Sequence, residues 1–263
     1  MYRDLTDTRS VLQPLLPSRH RIGRPRANDR RIFNGICYVL RTGCRWSDLP
    51  AKYGSPATGH RRLSQWMRDG TWLRVWATPL VMLSRQDKLR LDQTMLDASL
   101  ISAKKWGSPS GRLAKPGSMA RSAPDRRRAR CAAGLDDHDR FGARRARRGA
   151  PPDRLGIGER RHRPGCLVAD KGYNRRAFRA VFAQRQIRAH IPERAFFGHR
   201  RHRGRPYLVD RARVAQRWVI ERTFAWLNSS SQRLRVRYER LAHCYKALCI
   251  IGCSLICLNR LLR

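Results

Sequence analysis

The stretch "CLVADKGYN", residues 166–174, runs four apolar or small residues straight into a carboxylate, a lysine and a glycine. A short apolar run bounded by a turn signal reads as a buried strand, here ending in Asp170 with the turn at Gly172. Behind it, "AFRAVFAQRQ" (177–186) reads as a helix and "IRAHIP" (187–192) is strand-like again. Strand, helix, strand in this order is the arrangement of a parallel sheet, so the fold class is α/β for this part of the chain.

Upstream, "LRLDQTMLDASLI" (89–101) alternates as another strand and sets Asp97 on the same face as Leu91, Met95 and Ile101. A carboxylate among apolar neighbours is costly unless it faces a site. Downstream, "VAQRWVIERTFAWLNS" (214–229) reads as one helix with Ile220, Phe224 and Leu227 buried and Arg217, Glu221 and Asn228 alongside. Asp97, Asp170 and Glu221 are therefore the acids least explained by solvent exposure. Three converging carboxylates suit a hard divalent ion, and paired ions of that kind support phosphoryl transfer. Each acid also has a plainer reading. Asp170 shapes a strand-to-turn junction, Glu221 pairs with Arg217 four residues earlier, or Asp97 caps a loop after a shorter strand.

Residues 1–85 read as helical. In "ANDRRIFNGICYVLRTG" (27–43), Ile32, Phe33, Ile36, Val39 and Leu40 form an apolar stripe, Asn28 caps the start and Gly43 ends the helix in a left-handed turn. A short segment ending near Tyr53, a turn at Gly54, Ser55 as N-cap and Pro56 at the first helical position then describe two helices meeting at a tight corner, the punctuation of a helix-turn-helix. The second helix buries Leu63, Trp66 and Met67 and presents Thr58, Arg61, Arg62, Gln65 and Arg68. That outward face fits a DNA groove or, equally, solvent. Gly59 inside it costs roughly 1 kcal/mol relative to Ala.

Fifty-eight Lys and Arg against nineteen Asp and Glu give a net charge of +39, which points to a nucleic-acid partner or to Arg-favouring, GC-rich coding. The eight cysteines form no CxxC pair, and the sequence opens without a secretory signal, so neither a zinc ribbon nor a disulfide framework is indicated and a reducing cytoplasm fits. Cys249, Cys253 and Cys257 share one helix face as small apolar groups. Their run, "ALCIIGCSLICLNRLL" (247–262), falls short of the ~20 residues that span a bilayer and reads as a buried C-terminal helix, with no membrane partner.

Between these patterned parts, "CAAGLDDHDRFGARRARRGAPPDR" (131–154) has one aromatic, one leucine and no Val or Ile.

At its patterned residues the sequence resembles the DDE transposases of bacterial insertion sequences, in the insertion-sequence-five group. The resemblance is carried by "MYRDLTDT", the segment from "GRPRANDRR" through "GSPATGHRR", "LDASLISAKK", "LVADKGY", and "RWVIERTFAWLN" followed by "RLRVRYER". It implies a helical, helix-turn-helix-like DNA-binding region over 1–85 and an RNase H-like core, a mixed sheet with helices, over 86–263. It makes Asp97, Asp170 and Glu221 the catalytic, metal-holding acids, with Mg²⁺ or Mn²⁺ as cofactor and Arg217 and Tyr173 in support. Thr58, Arg61, Arg62, Gln65 and Arg68 become DNA contacts. The partners would be double-stranded DNA, both the element's terminal repeats and its target, and a second copy of the chain when active. The location would be the bacterial cytoplasm, on the nucleoid. Val214 and Asn228 stand where the family has a Tyr and a Lys or other polar residue.

The resemblance breaks over 107–163, where relatives carry a loop, a β-hairpin and a helix. Text read out of frame accounts for the break, as does a disordered basic insert. Without that hairpin, the Asp97 strand becomes the edge of a three-stranded, incomplete core. The functional reading is a transposase that cuts DNA and transfers strands, with activity diminished by the missing core. A non-catalytic DNA-binding protein, such as a repressor of its own element, is the alternative, and a basic RNA-binding protein is a third.

Overall fold

The computed structural model describes residues 13–16, 27–89, 92–97, 101, 155–157, 160–162, 164–193 and 207–261, with 155–157 and 160–162 described by their backbone alone. Helix α1 spans Asp29–Thr42. The Asn28 side chain accepts from the Arg30 and Arg31 amides at 3.0 and 3.3 Å. Gly43, at φ 74°, closes the far end by donating to the Val39 carbonyl, a conformation that favours glycine. The five apolar residues of the expected stripe are all buried, and Asn34, Gly35 and Cys37 join them, so α1 is covered on more than one side. Burial pushes the Cys37 thiol up to about 12.

The corner before the next helix differs from expectation. The segment ending at Tyr53 forms two three-residue 3₁₀ turns, Trp46–Asp48 and Ala51–Tyr53, in place of a first helix. Pro50 explains the interruption, because it lacks an N–H and pushes Leu49 into extended backbone (φ −66°, ψ 123°). The Arg31 guanidinium then takes the carbonyls of Ala51 and Lys52. Helix α2 (Pro56–Arg68) follows, with Ser55 at the cap position but making no side-chain cap bond. A Cβ on Gly59 would lie 3.1 Å from the Trp46 ring, so the glycine that weakens the helix locally admits a close tertiary contact.

Helix α3 is Thr71–Arg85. Trp66 and Trp72 meet edge to face at 5.3 Å, and the Trp72 indole donates to the Leu63 carbonyl at 3.0 Å. Strand β1 is Gln93–Leu96, β2 Leu155–Ile157, β3 Arg160–His162 and β4 Cys166–Ala169. Helix α4 (Arg176–Gln184), strand β5 (Arg188–His190) and helices α5 (Arg211–Ala215), α6 (Trp218–Ser230) and α7 (Ala242–Leu261) complete the described chain.

Two compact units result. Among the described residues, one unit contains those up to Arg85, Ile101 and those from Ala225 onward, and the other contains the described residues of 86–97 and 155–224. This division differs from a single cut after residue 85, because α7 packs along α3 and α2. The cause is composition: α7 is apolar nearly all round and needs cover on several sides. At 20 residues it is longer than its apolar run suggested, and long and apolar enough to cross a bilayer by itself, yet most of it is buried against its own unit. Cys249 and Cys253 are buried there. Cys257 is half-buried, and desolvation raises its thiol to about 11.

Gly252 marks a close approach to α7, since a Cβ there would lie 2.7 Å from Leu227 Cδ1. Gly252→Ala should therefore destabilise this unit by up to about 2 kcal/mol, the ~1–3 kcal/mol of overpacking less the ~1 kcal/mol that Ala gains over Gly inside a helix, read as a lower urea midpoint. An unchanged midpoint would mean that Leu227 simply rotates away.

In the other unit, β1, β4 and β5 form a parallel sheet in the order β1-β4-β5, while β2 and β3 pair antiparallel in a sheet of their own. That hairpin lies within 107–163, the range read as anomalous. Residues 102–154, which hold most of that range, lie outside the described residues. Among the described residues β1 pairs with β4 alone. The strand expected over 89–101 is four residues long.

Alternation gives the sheet two different faces. Leu96, Leu167, Ala169 and Ile191 cluster with Phe182 and Ile187 on the α4 side. Gln93, Met95, Cys166 and Val168 occupy the opposite face, toward α5.

Candidate active site

Parallel register decides where the first two acids lie. Leu96 pairs with Ala169, so Asp97 and Asp170 follow side by side at the C-terminal ends of neighbouring strands, on the α5 face. Asp170 opens a 3₁₀ turn, Lys171–Tyr173, whose last amide donates to the Asp170 carbonyl at 2.9 Å. Tyr173 packs on Phe178 (5.7 Å) against the core cluster and so anchors the turn that presents Asp170.

The third acid arrives through a break in a helix. The segment expected as one helix from Val214 divides into α5 and α6, with Gln216 and Arg217 in the turn between them. Glu221 lies in the first turn of α6, where the positive helix end favours a carboxylate. Ile220 and Leu227 are buried, Phe224 is half-buried, and Trp218 is exposed under the Arg222 guanidinium.

All three acids meet one cation. Arg217 Nη1 donates to Asp170 Oδ1 at 3.1 Å, and Nη2 lies 3.6 Å from Asp97 Oδ2 and 3.7 Å from Glu221 Oε1. The Asp97 side chain is 19% exposed, Asp170 38% and Glu221 63%. Among the described residues no three acids, histidines or cysteines approach closely enough to form a ready-made metal cage. The donor set itself suits a hard divalent ion: three carboxylates already gathered around positive charge.

Arg213 holds the other end of the same face, a role the sequence reading missed. Its Nε donates to Asp210 at 3.1 Å, and its Nη1 reaches Gln93 Oε1 at 3.0 Å and Cys166 Sγ at 3.1 Å. Backbone hydrogen bonds from Arg213 and Ala212 hold the Asp210 carboxyl below its ordinary range. Burial, reinforced by Arg213, lowers the neighbouring His190, which accepts from the Asp210 amide through Nδ1 at 3.1 Å. The signal was present as a matched spacing of four. Gln93 and Asp97, Cys166 and Asp170, and Arg213 and Arg217 each stand four residues apart.

On α2, Arg61, Gln65 and Arg68 are exposed along one side, and Thr58 is half-buried. Arg62 corrects the expected outward face. Its side chain is 12% exposed, lies 3.6 Å from Asp29 and donates to Gln65 at 2.8 Å. The acid in the first turn of α1 draws it inward.

The parallel sheet thus sets two acids at adjacent strand ends, and a third stands on a following helix. Residues 167–259 match the family described as "Transposase DDE domain", which implies an RNase H-like fold and generally a divalent metal ion. Residues 6–76 match "Putative transposase of IS4/5 family". The first range contains Asp170, Arg217 and Glu221, whereas Asp97 lies outside both. Among curated proteins, "Insertion element IS402 uncharacterized 16.2 kDa protein" of Burkholderia cepacia is 35% identical over 39% of this chain and 74% of its own length. "Putative transposase for insertion sequence element IS402", from the same organism, is 37% identical over 43% of this chain and 48% of its own, so the match spans about half of that protein. "Uncharacterized protein y4sN" of Sinorhizobium fredii is 31% identical over 37% and 73%. No solved structure matches. The chain belongs to the IS4/5 family of insertion-sequence transposases, and that membership implies DNA binding.

Proposed function

We propose that the chain is built to cut and transfer strands of DNA at the ends of an insertion sequence, with Asp97, Asp170 and Glu221 as its catalytic acids. The observation that supports this is the meeting of all three, from separate elements, on Arg217. Mg²⁺ or Mn²⁺ held by these carboxylates would supply charge stabilisation at a phosphate and a nucleophile at neutral pH. Asp97 and Asp170, on adjacent strand ends, set the separation of the carboxylates, and the Tyr173 turn keeps Asp170 in place. Glu221 is exposed enough to close on the site from α6. Incubating element-end DNA in Mg²⁺ or Mn²⁺ with a purified version of the chain in which residues 107–163 are restored by reading the coding DNA in another frame, and resolving the strands, tests the reading; cuts confined to the element ends support it.

A second reading, a DNA-binding protein without catalysis, is favoured by the guanidinium at the centre of the acids and by the single described partner of β1. Specific end binding by that restored version with no cutting in either metal would establish it. Both readings place the chain on double-stranded DNA in a bacterial cytoplasm, as a dimer when ends are paired.

The DNA surface in either case is the exposed side of α2. Arg61→Ala should weaken DNA binding and reduce its salt dependence by about one phosphate contact, if that residue lies on the backbone, or relax end preference if it reads a base. Arg62→Ala should lower the unfolding midpoint instead, because its side chain pairs inside the unit. Competition binding on end and random duplexes at several salt concentrations separates these outcomes. Equal effects of the two substitutions on binding would place both arginines on the DNA.

A further inference from the structure

Arg217 has a grip unlike that of a fitted structural salt bridge. Of the three acids, Asp170 alone is within hydrogen-bond distance, while Asp97 and Glu221 share the other terminal nitrogen at 3.6 and 3.7 Å. The Arg217 Nε is buried and has no hydrogen-bond partner among the described residues, which costs free energy. Arg213 is different. It sits at the opposite end of the same face, with three close polar contacts at 3.0–3.1 Å to Asp210, Gln93 and Cys166. The segment is therefore pinned at Arg213, whereas Arg217 is held mainly by charge, in the turn between α5 and α6.

We propose that Arg217 is a resident counter-cation of the acid cluster, gathering Asp97, Asp170 and Glu221 when no divalent ion is bound and leaving their midpoint when one binds. This rests on the reading of those acids as the metal-holding set. Three carboxylates against one guanidinium leave an excess of negative charge that attracts a divalent cation. The same oxygens face the guanidinium, and two cations cannot share the space between them without strong repulsion. A small hard ion contacts oxygens at roughly 2.0–2.1 Å and forms tighter contacts than the guanidinium makes here. Rotation of the long Arg side chain about its own bonds clears the site, with Arg213 keeping α5 on the sheet. Ion binding and the release of Arg217 are thus one coupled equilibrium, and the freed cation is available to a DNA phosphate.

The test uses the full chain without DNA and follows binding of Mn²⁺ by the loss of the free-ion resonance. Arg217→Gln should bind Mn²⁺ about tenfold or more tightly than the parent, since one nearby opposing charge is gone. It should also melt at a lower temperature without metal and regain that loss as Mn²⁺ is added. Arg217→Lys, which keeps a charge but loses the fork, should fall between the two and serves if the Gln chain does not fold. Mn²⁺ affinity in both variants equal to or weaker than the parent's would overturn the proposal and make Arg217 a holder of the acids. Adding Asp170→Asn should remove the gain. If Asp170→Asn changes Mn²⁺ binding in neither background, the assignment of the acids fails along with the proposal.

Discussion

Arg233→Met should cost the helical unit about 3–5 kcal/mol, the range seen when one partner of a buried ion pair is removed. Arg233 Nε and Nη2 each lie 2.9 Å from Glu239 Oε1, and the two side chains are 7% and 1% exposed. The same guanidinium donates to the Cys44 carbonyl at 3.0 Å and lies 4.8 Å from the Tyr238 ring. It therefore ties the end of α1 to the chain between α6 and α7. Glu239 Oε2 is buried with no hydrogen-bond partner among the described residues, so the carboxylate depends on Arg233. Removing the arginine leaves a buried charge with neither water nor partner. The double substitution Arg233→Met/Glu239→Met should recover most of the loss, because it removes both desolvated charges. Urea unfolding followed by tryptophan fluorescence reads both effects. A loss below about 1 kcal/mol for the single change would show that water reaches Glu239 and that the pair behaves as a surface bridge.

DNA cleavage should be the other large effect, in a comparison between two chains. β1 pairs with a single strand among the described residues, and Asp97 lies at its end. Misplacing a reacting group by about 1 Å costs ~10²-fold in rate. The present chain should therefore cut element-end DNA barely or not at all in Mg²⁺. A version in which residues 107–163 are restored by reading the coding DNA in another frame should cut it. In that restored chain, Asp97→Ala, Asp170→Ala or Glu221→Ala should each lower cutting by more than ~10²-fold, since loss of a ligand is worse than its displacement. Cleavage by the present chain at the restored chain's rate would show that the segment is a tolerated insert. Persistent cutting by restored Glu221→Ala would reduce Glu221 to a partner of Arg217.

Sequence alone determined the features whose causes are local. The stripe and both ends of α1 follow from the spacing of Ile32, Phe33, Ile36, Val39 and Leu40, an Asn cap and a glycine that tolerates positive φ. The parallel β4-α4-β5 unit follows from an apolar run, a helical repeat and a second strand, and register then brings Asp97 beside Asp170. Periodicity carries the face on which a side chain lies. It does not carry which distant group fills the space in front of that face. The tertiary structure decided that Arg62 turns toward Asp29, that the helix breaks before Arg217, that Arg213 pins the far end of the sheet and that Arg233 finds Glu239 and the end of α1. It also placed α7 with the N-terminal helices, because an all-apolar helix is satisfied only where other elements can cover every side. Each of these depends on charges and volumes brought together from far apart in the chain, and a short window of sequence contains only one side of each pair.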